Sequence, residues 1–542
     1  MTLEGPTHTA HKLFAVIFLF AACTLFTSGA PILRRGQSRA QPNTITRQLR
    51  VAAPQPGESR YAYVPFTVPA GASRVSVSYE YDRAGGANTI DLGLFDGRFS
   101  GRDDDGRGFR GWSGGRRATI FVARHEATPG YIPGELPAGT WHVILGLYRV
   151  APQGVDVSFT FTVETNPDAP TNIPDAPRIL SAPPPSGRAF SKLLELAPGQ
   201  PSPARPAQRQ WFRGDLHAHT LHSDGDWTVA QLACAARQAG LDFISITDHN
   251  TLSHHADIAR LPSDGALVLR GEEVTTYGGH VNAWGLPANT LIDFRVQPGD
   301  GAQMSKVVGK IHGFGALASI NHPFALCGGC SWSYDRAARS FDSIEVWNGA
   351  WDQTDERALQ WWDELLRGGR RITAIGSSDT HRPANPLGHP TTHVFASDVS
   401  REEPLLQAIR EGRVIVTSEP ARPMISFTVE AVQGKARIRH NVGEELALNT
   451  AGLIRFRIAA QSAPDGAIAA LISQSGELRR FVLRPNREEV SFEHHIQTSA
   501  YFRVEVRDRT GGMLAFTNPI YVSIKPPRSS TTGRAAARTA GR

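Results

Sequence analysis

The chain has 542 residues, 40% of them hydrophobic and 20% charged, which is enough apolar material for more than one folded core. This composition excludes a chain that is disordered over its whole length. Much of the formal net charge of +6 lies in the segment 525–542, with five basic residues and no acidic residue; we interpret it as a solvated basic disordered tail, and because no aromatic residues interleave with its arginines, specific nucleic-acid binding is not indicated.

An apolar run, LFAVIFLFAACTLF, follows Lys12 near the start of the chain. The small residues Ser28 and Ala30 then give the pattern of a signal-peptidase cleavage site. The segment 1–30 is therefore predicted to be an export signal, which places the protein in the periplasm or outside the cell. Two alternatives stay open: an uncleaved membrane anchor, since the run is nearly long enough to span a bilayer, and a lipid-modified Cys23.

The segment 45–165 shows the alternation of apolar and polar residues that is typical of β-strands. The clearest runs are Val75, Val77, Tyr79 and Tyr81, and then Val155, Val157, Phe159, Phe161 and Val163. Because Gly and Pro turns separate the runs, we predict a β-sandwich here. The next segment, 166–208, is rich in Pro, Ala and Ser and is predicted to be a linker that buries no core.

From residue 209 to 420, short apolar runs alternate with amphipathic helical segments. Strands are predicted at LDFISI, ALVLRG, GALASI, DSIEVW and RITAIG. Helices are predicted at TVAQLACAARQAG, AQMSKVVGKIHGFG, ERALQWWDELLRGG and EEPLLQAIREG. This order favours an α/β barrel. Strand-like alternation returns at 421–524, where a second β-sandwich is predicted.

Five polar motifs follow one another between residues 215 and 381: DLHAHTLHSDG, TDHN, GEEVTTYGGH, NHP and SSDTH. Of the 19 histidines of the chain, 12 lie between His217 and His393. Several of the motifs begin where a predicted strand ends, and the carboxyl ends of the strands of an α/β barrel meet at one face. Imidazoles and carboxylates gathered in this way are typical ligands of divalent metals. The sequence therefore predicts a metal-dependent hydrolytic site at the barrel mouth.

Cys327 and Cys330 form a CGGC motif shortly after the NHP motif. In an oxidising compartment this pair is predicted to close a small disulfide loop. A redox-active CxxC is disfavoured because no thioredoxin-like context surrounds it. A soft-metal site would need two more ligands, which the sequence does not identify.

These motifs, with the surroundings GEEVTTYGGHVNAWG and AFTNPIYV, resemble the PHP (polymerase and histidinol phosphatase) metallohydrolase family and its carbaryl-hydrolase-like CehA/McbA branch. The resemblance covers about residues 211–420 by motif. It implies a multi-domain protein in which a central distorted (β/α)7 PHP barrel, at 209–420, is flanked by the N-terminal and C-terminal β-sandwiches. It also implies a trinuclear metal site, and many family members are phosphoesterases.

Carried over by motif, the resemblance implies nine metal ligands. One metal is expected to be held by His217, His219, Glu273 and Asp379. A second, bridged by Glu273, is expected to be held by His280 and His322, and a third by Asp224, His249 and His381. Glu273 is chosen over Glu272 because the family pattern is Gly, any residue, Glu, followed by Val-Thr-Thr and Gly-His. The set implies two to three divalent ions, with zinc, manganese and iron(II) left open.

The expected activity is hydrolysis of a small-molecule phosphomonoester or phosphodiester by a metal-activated hydroxide. For leaving-group protonation and charge stabilisation, the nearby candidates are His222, Tyr277 and Arg382. A carbamate, amide or ester hydrolase of the same family stays open, as does a non-catalytic, metal-stabilised binding protein. Contact with a surface or a glycan through the sandwiches, and with a membrane through the N-terminal segment, are further expectations. An amidohydrolase-type barrel is disfavoured, since no lysine stands among the motifs to form its carboxylated metal bridge.

Overall fold

The computed structural model describes residues 41–101, 106–165, 209–262, 265–421, 423–433, 436–484 and 489–524. The predicted export signal, the predicted linker at 166–208 and the predicted basic tail lie outside these residues. Within them, no helix has both the length and the apolar character needed to cross a membrane.

The first described region, 41–165, consists of strands joined by turns, with one 3₁₀ turn at Ala84–Gly86. Its strands are β1 (Gln41–Val51), β2 (Tyr61–Val68), β3 (Ala72–Tyr81), β4 (Thr89–Phe95), β5 (Phe109–Gly114), β6 (Thr119–Ala123), β7 (Gly139–Arg149) and β8 (Val155–Thr165). They form two four-stranded antiparallel sheets, with the orders β1-β8-β3-β6 and β2-β7-β4-β5. We call this region the N-terminal sheets.

Alternate side chains of the two N-terminal sheets face a shared apolar core, as the period of two in a strand requires. Val75 and Val77 of β3 are buried with Phe161 of β8, while the residues between them are less buried. Phe66 of β2 stacks on Phe161 with ring centroids 4.4 Å apart and so links one sheet to the other. The strands thus lie where the alternation predicts them.

The central region contains nine strands and five helices among its described residues. The strands are β9 (Gln210–Asp215), β10 (Phe243–Ile246), β11 (Leu267–Thr276), β12 (Gly279–Trp284), β13 (Leu317–Asn321), β14 (Ser343–Asn348), β15 (Thr373–Ser377), β16 (Thr391–Ala396) and β17 (Val414–Thr417). The helices are α1 (Val229–Gln238), α2 (His255–Ile258), α3 (Gly301–Gly313), α4 (Gln353–Arg367) and α5 (Glu402–Arg410). The four helices predicted from the sequence are α1, α3, α4 and α5.

Local chemistry explains where these helices start and which side they bury. The side chain of Thr228 accepts a hydrogen bond from the N–H of Gln231, which completes a capping box at the start of α1. Asp352 and Asp355 form the same arrangement at the start of α4. One face of α4 is apolar and buried, and Trp362 is its largest buried side chain.

The strand pairing of the central region does not show the closed (β/α)7 barrel that the resemblance implies. The order β15-β14-β13-β12-β11-β10-β9-β16-β17 is open, since β15 forms a described ladder only with β14. The hydroxyl of Thr392 accepts from the N–H of Gly376 at 3.1 Å and donates to its carbonyl at 2.6 Å, a side-chain link between β16 and β15. The β-then-α repeat also breaks at β12, which pairs antiparallel with β11 and β13. Only two residues connect β11 to β12, too few for a crossover helix.

The last described region continues the central sheet. Its strands are β18 (Met424–Gln433), β19 (Ala436–Asn441), β20 (Glu445–Leu448), β21 (Gly452–Gln461), β22 (Ile468–Ser473), β23 (Gly476–Val482), β24 (Val490–Ile496), β25 (Ala500–Arg507), β26 (Met513–Thr517) and β27 (Ile520–Ile524). One layer is the sheet β19-β18-β21-β24, and the other joins the central sheet through the β17–β26 ladder. Phe427, Phe456 and Phe502 lie in the core between the layers.

The N-terminal sheets and the central region share apolar contacts. Trp112 of β5 packs against Phe294, with ring centroids 4.8 Å apart. The hydroxyl of Tyr61 in β2 donates to the carbonyl of Phe294 at 3.2 Å. Tyr61, Trp112 and Phe294 all belong to the same buried cluster as apolar residues of the central strands. This packing holds β4, β5 and β7 against the side of the central region where the histidine motifs lie.

Candidate metal centre

Glu273 is the centre of the histidine cluster. Its Oε1 atom lies 3.3 Å from Nε2 of His217, 3.1 Å from Nδ1 of His280 and 3.2 Å from Nε2 of His322. Its Oε2 atom lies 2.6 Å from Nδ1 of His249 and 3.7 Å from Nε2 of His219. One fully buried carboxylate therefore faces five of the six imidazoles that the sequence predicts as ligands.

Two aspartates complete the cluster. Oδ1 of Asp379 lies 3.0 Å from Nε2 of His219 and 3.4 Å from Nε2 of His217. Oδ1 of Asp224 lies 3.3 Å from Nε2 of His381 and 3.6 Å from Nε2 of His249. The structure thus brings all nine predicted ligands together, although their assignment to individual metals stays a prediction.

The strands of the central sheet place these residues. His217 and His219 follow the end of β9, where the N–H of His219 donates to the carbonyl of Thr380 at 3.0 Å. His249 follows β10 and bridges to Glu273 of β11, and His280 lies in β12 directly across from Thr275. His322 and Asp379 follow β13 and β15.

Two of the predicted ligands have unusual backbone conformations. His322 has φ of 23° and Asp379 has φ of 50°, in the region that residues other than glycine rarely adopt. Such conformations persist where the surrounding structure enforces them, and they occur often at functional sites. Here both turn the chain sharply just after a strand, which directs the side chain back into the cluster.

The donor atoms that face one another in the cluster fit a divalent cation. Among the described residues, five buried ligand atoms lie close to other ligand atoms but make no hydrogen bond of suitable geometry: Nε2 of His217, Nε2 of His219, Oδ1 of Asp224, Oε2 of Glu273 and Oδ1 of Asp379. Buried polar atoms are normally paired, because leaving them unpaired is costly. A cation coordinated by them removes this cost, and the mixture of imidazole nitrogen and carboxylate oxygen suits zinc, manganese or iron.

The electrostatics of the cluster point the same way. Burial alone would raise the pKa of Glu273, but the imidazoles of His249, His217 and His280 hold it well below its usual range. Burial lowers the pKa of His249, yet the carboxylates of Glu273 and Asp224 outweigh this and raise it to about 10. Without a cation, protons on imidazoles balance the carboxylates, so metal binding should release protons.

The neighbouring acid, Glu272, has a different environment. It points to the other side of β11, where its Oε2 accepts a hydrogen bond from the N–H of Ile292 at 2.8 Å. Burial raises the pKa of Glu272 well above its ordinary value. This geometry favours Glu273 as the acid that bridges the two predicted metals.

A pocket of 510 Å³ opens beside the cluster and is lined by Asp224, His249, His280, His322, Asp379 and His381. Its other wall comes from the N-terminal sheets, with Asp91 of β4, Trp112 of β5 and Tyr148 of β7. Tyr277, in the β11–β12 turn, also lines the pocket. Its hydroxyl donates to Oδ2 of Asp91 at 2.7 Å.

The other two residues predicted to assist catalysis do not line this pocket. The ring of His222 is 2.8 Å from the hydroxyl of Ser253 and 3.1 Å from Oδ2 of Asp257. Arg382 is largely exposed, and its Nε lies 3.8 Å from Oδ2 of Asp226. Of the three candidates, the structure therefore places only Tyr277 where a substrate would bind.

No protein-family model matches the chain. It is 27% identical, over 150 residues, to the uncharacterized protein MJ1587 of Methanocaldococcus jannaschii, covering 25% of this chain and 82% of that protein. Among solved structures it is similar to a two-domain protein of Bacteroides vulgatus containing a predicted PHP-like metal-dependent phosphoesterase, with 17% identity, a TM-score of 0.34 and coverage of 58% of this chain and 96% of the other. It is also similar to an amidohydrolase of Chromobacterium violaceum, with 19% identity, a TM-score of 0.23 and coverage of 32% and 90%. The CehA/McbA branch stays a prediction, and the assignment of chemistry rests on the geometry of the site.

Sequence analysis missed three residues at the site. Oε1 of Glu345 in β14 lies 3.1 Å from Nδ1 of His217, and its Oε2 accepts from the N–H of His322 at 2.9 Å. The signal that could have identified Glu345 is an acidic residue inside the apolar run DSIEVW. Asp91 gave no local signal, because it lies in another region of the chain. Cys330 groups with His280 and His322, two partners that the sequence did not identify for a cysteine ligand.

Proposed function

We propose that this chain is a metal-dependent hydrolase that acts on a small-molecule phosphoester. The observation that carries the proposal is the arrangement around Glu273, a buried carboxylate within 3.7 Å of five imidazoles, in a cluster with five unpaired donor atoms. His217, His219, Glu273 and Asp379 would hold one cation. Glu273, His280 and His322 would hold a second, and Asp224, His249 and His381 a third. When bound, the cations supply Lewis-acid charge that offsets the negative charge developing on a phosphoryl group.

The residues of the chain supply orientation around that centre. Nδ1 of His217 is held by Glu345, which fixes the ring so that Nε2 faces the cluster. Asn321 donates to Oε1 of Glu273 at 2.9 Å and so limits rotation of the shared carboxylate. These contacts keep the donor atoms in place before any substrate binds, which lowers the reorganisation that the reaction requires.

Asp91 and Tyr277 are positioned to provide a proton to the leaving group. Burial raises the pKa of Asp91 to about 7, so its carboxyl group holds a proton over part of the neutral range. Burial also raises the pKa of Tyr277 well above its ordinary value, which keeps its hydroxyl protonated. Both residues line the same pocket as predicted metal ligands, so a leaving oxygen bound there would be near them.

We propose, in addition, that the protein is exported. The apolar run after Lys12 supports this, and so does the disulfide between Cys327 and Cys330, since disulfides persist mainly in oxidising compartments. Membrane association through the N-terminal segment and glycan contact through the sheets stay predictions.

The proposal is tested on the purified full chain after separate reconstitution with zinc, manganese and iron(II). Elemental analysis should find two to three ions per chain, and p-nitrophenyl phosphate or bis-p-nitrophenyl phosphate should be hydrolysed. Retained metal without turnover of either substrate would refute phosphoesterase activity. A p-nitrophenyl ester and a carbamate, assayed next, then separate the other hydrolase hypotheses from a non-catalytic binding protein. A chain that retains no metal would refute the metal centre itself.

A further inference from the structure

The disulfide between Cys327 and Cys330 lies in the wall of the pocket beside two predicted ligands. The Sγ atom of Cys330, one ring nitrogen of His280 and one of His322 all lie within 4.8 Å of one another. Cys330 is buried, at 7% exposure, whereas Cys327 is exposed. Cys330 therefore faces His280 and His322, and Cys327, on the same pocket wall, is the more accessible cysteine.

Hydrogen bonds hold this loop in place independently of the disulfide. The N–H of Trp332 donates to the carbonyl of Pro323 at 2.9 Å, which closes the loop on itself. The carbonyl of Gly329 accepts from the N–H of Gly279 at 3.0 Å, one residue before His280. The N–H of Gly328 donates to the hydroxyl of Tyr148 at 2.7 Å. Because cross-links that close short loops remove the least chain entropy, this disulfide adds little to folding, and Cys330 should stay near its position without it.

We propose that reduction of this disulfide makes Cys330 a ligand of the metal held by His280 and His322, so that the thiol redox state controls metal coordination. The proposal rests on the proposed function, since it needs a cation at that centre. A thiolate beside two imidazoles is a favourable donor set for zinc. In the oxidised state the same sulfur is bonded to Cys327 and offers no thiolate.

The redox step is a thiol–disulfide exchange with a dithiol. One thiolate of the dithiol attacks the sulfur of Cys327, the more accessible cysteine, the Cys327–Cys330 bond breaks, and Cys330 leaves as a thiolate facing His280 and His322. The second thiol of the reductant then attacks the mixed disulfide, which releases Cys327 and leaves the dithiol as a disulfide. Two electrons pass to the protein. The proton of the second thiol goes to Cys327, and the negative charge on Cys330 is met by the cation.

The consequence for the enzyme follows from the position of the sulfur. Cys330 and the pocket are on the same side of His280 and His322, so a coordinated thiolate takes a position that a substrate oxygen would otherwise face. Reduction should therefore lower hydrolysis and slow the loss of metal to a chelator. The opposite changes should follow reoxidation.

The test uses the full chain in a Cys23→Ser and Cys234→Ser background, so that Cys327 and Cys330 are the only cysteines that remain. The protein is loaded with cobalt(II), because a cobalt–thiolate bond gives a charge-transfer absorption in the near ultraviolet. A phosphine reductant is used, since it adds no thiolate of its own. Cys327→Ser and Cys330→Ser form a matched pair: both lack the disulfide, but only the first keeps the thiol that faces the histidines.

The oxidised protein should lack the thiolate band and gain it on reduction. Cys327→Ser should show the band without any reductant, and Cys330→Ser should never show it. Bound cobalt without the band in both the reduced protein and Cys327→Ser would overturn the proposal. A band in Cys330→Ser would also overturn it, because the thiolate ligand would then be a residue other than Cys330. Circular dichroism and cobalt stoichiometry verify that each variant is folded and loaded, and if Cys327→Ser does not fold, the reduced parent decides alone. Failure of the parent to bind cobalt at all would instead refute the proposed metal centre.

Discussion

At the residue scale, Glu273 and Glu272 are adjacent in sequence and opposite in environment. Glu273 faces imidazoles, whereas Glu272 accepts a hydrogen bond from the N–H of Ile292 on the other side of β11. Glu273→Gln removes the negative charge shared by the cluster, so we expect loss of bound metal and a fall in kcat/KM of about 100-fold or more. Glu272→Gln should keep most of both, because burial raises the pKa of Glu272 and so favours the neutral form that glutamine resembles.

Elemental analysis and the rate of p-nitrophenyl phosphate hydrolysis measure the two variants side by side. Because each variant exchanges one buried carboxyl for an amide on the same strand, each is the control for the other. If Glu272→Gln lost the metal and Glu273→Gln kept it, the bridging carboxylate would be Glu272 and not Glu273.

His393 gives a prediction about pH. It is buried in β16, and its Nε2 lies 2.8 Å from the hydroxyl of Thr417. That hydroxyl donates to the carbonyl of Glu419, so Nε2 of His393 must be the donor. Burial, with some contribution from Arg213, lowers the pKa of His393 to about 3. Its neutral form therefore stabilises the fold above the unfolded pKa, and this stabilisation is lost as pH falls towards the folded value.

Between about pH 6.5 and pH 4.5 the lost stabilisation should reach about 3 kcal/mol. His393→Gln removes the titrating group, so its free energy of unfolding should fall less steeply with acid than that of the parent. Urea denaturation of metal-free protein at several pH values measures the difference. His495→Gln, at an exposed position, reports the general effect of replacing a histidine. Parallel pH dependence of His393→Gln and the parent would contradict the prediction.

At the scale of elements, two glycines in the central region are expected to respond in opposite ways to the same substitution. In β9, a Cβ atom at Gly214 would lie 2.1 Å from the ring of Phe243, which is fully buried in β10. In α3, a Cβ atom at Gly309 would meet nothing within 4 Å. Gly214→Ala should therefore destabilise the fold by about 2 kcal/mol or more through overpacking, whereas Gly309→Ala should stabilise it by up to about 1 kcal/mol through helix propensity.

Urea denaturation of the two alanine variants checks both signs in one experiment. The double variant Gly214→Ala with Phe243→Leu should recover part of the loss, since the smaller side chain leaves room for the added methyl group. No recovery would show that the strain arises from the backbone of β9 rather than from the ring.

The helices could be located from the sequence, whereas the closure of the sheet could not. The amphipathic spacing of α4 specifies a buried face regardless of its neighbours, and the structure confirms the helix. The strand predicted at ALVLRG carries no information about parallel or antiparallel pairing with its neighbours, so the β11–β12 hairpin was missed. Closure of a ring depends on contacts between distant strands. In the structure the link between β15 and β16 is made by a threonine side chain instead of a ladder.

At the site, too, some residues could be predicted from the sequence and others could not. The family resemblance of the motifs implied nine ligands, and the structure brings these residues together, because the ends of neighbouring strands converge whether or not the sheet closes. Glu345 and Asp91 were missed for physical reasons of their own. Glu345 lies in mid-strand with no second ligand next to it, and Asp91 reaches the pocket only through the packing of the N-terminal sheets on Phe294.

At the scale of the whole molecule, the pairing of Asp91 with Tyr277 makes the N-terminal sheets part of the proposed active site. If the pair protonates the leaving group, its contribution to kcat/KM should be larger for leaving groups that depart poorly without a proton. Asp91→Asn should lower kcat/KM for phenyl phosphate by about 100-fold and for p-nitrophenyl phosphate much less, because p-nitrophenolate leaves readily without protonation. Tyr277→Phe should act in the same direction.

Metal content is the control for this comparison, since neither residue is a predicted ligand and both variants should bind as much metal as the parent. Gly146 lies directly under the Tyr277 hydroxyl, so substitutions there would disturb the pair by contact alone and are not suitable. Equal losses for both substrates would indicate a role in binding or folding and would exclude proton donation by the pair.

The central and C-terminal regions are joined by a buried ionic contact as well as by strands. Asp363 of α4 lies 3.1 Å from the guanidinium of Arg503 in β25 and accepts from the hydroxyl of Tyr501 at 2.9 Å. Arg503 is only 3% exposed and keeps one further carboxylate, Glu505, at 2.6 Å. Asp363→Ala therefore leaves the buried Arg503 with one of its two carboxylate partners. We expect the free energy of unfolding to fall by about 3 kcal/mol.

The exposed pair of Arg50 with Asp156 provides the matched control, because their side chains are 55% and 72% accessible. Asp156→Ala should cost less than about 1 kcal/mol, since solvent screens an exposed pair. In urea denaturation, Asp363→Ala should lower the midpoint of the unfolding transition. Trp362 packs at the same contact, with the Arg503 guanidinium 5.0 Å from its ring. Removing both partners in Asp363→Leu with Arg503→Met should recover much of the loss, because Glu505, the buried carboxylate that remains, still pairs with Arg507 at 3.2 Å. If Asp363→Ala and Asp156→Ala had equal effects, the buried contact would contribute nothing special to the joining of the two regions, and the shared strand ladder of β17 with β26 would be what holds them together.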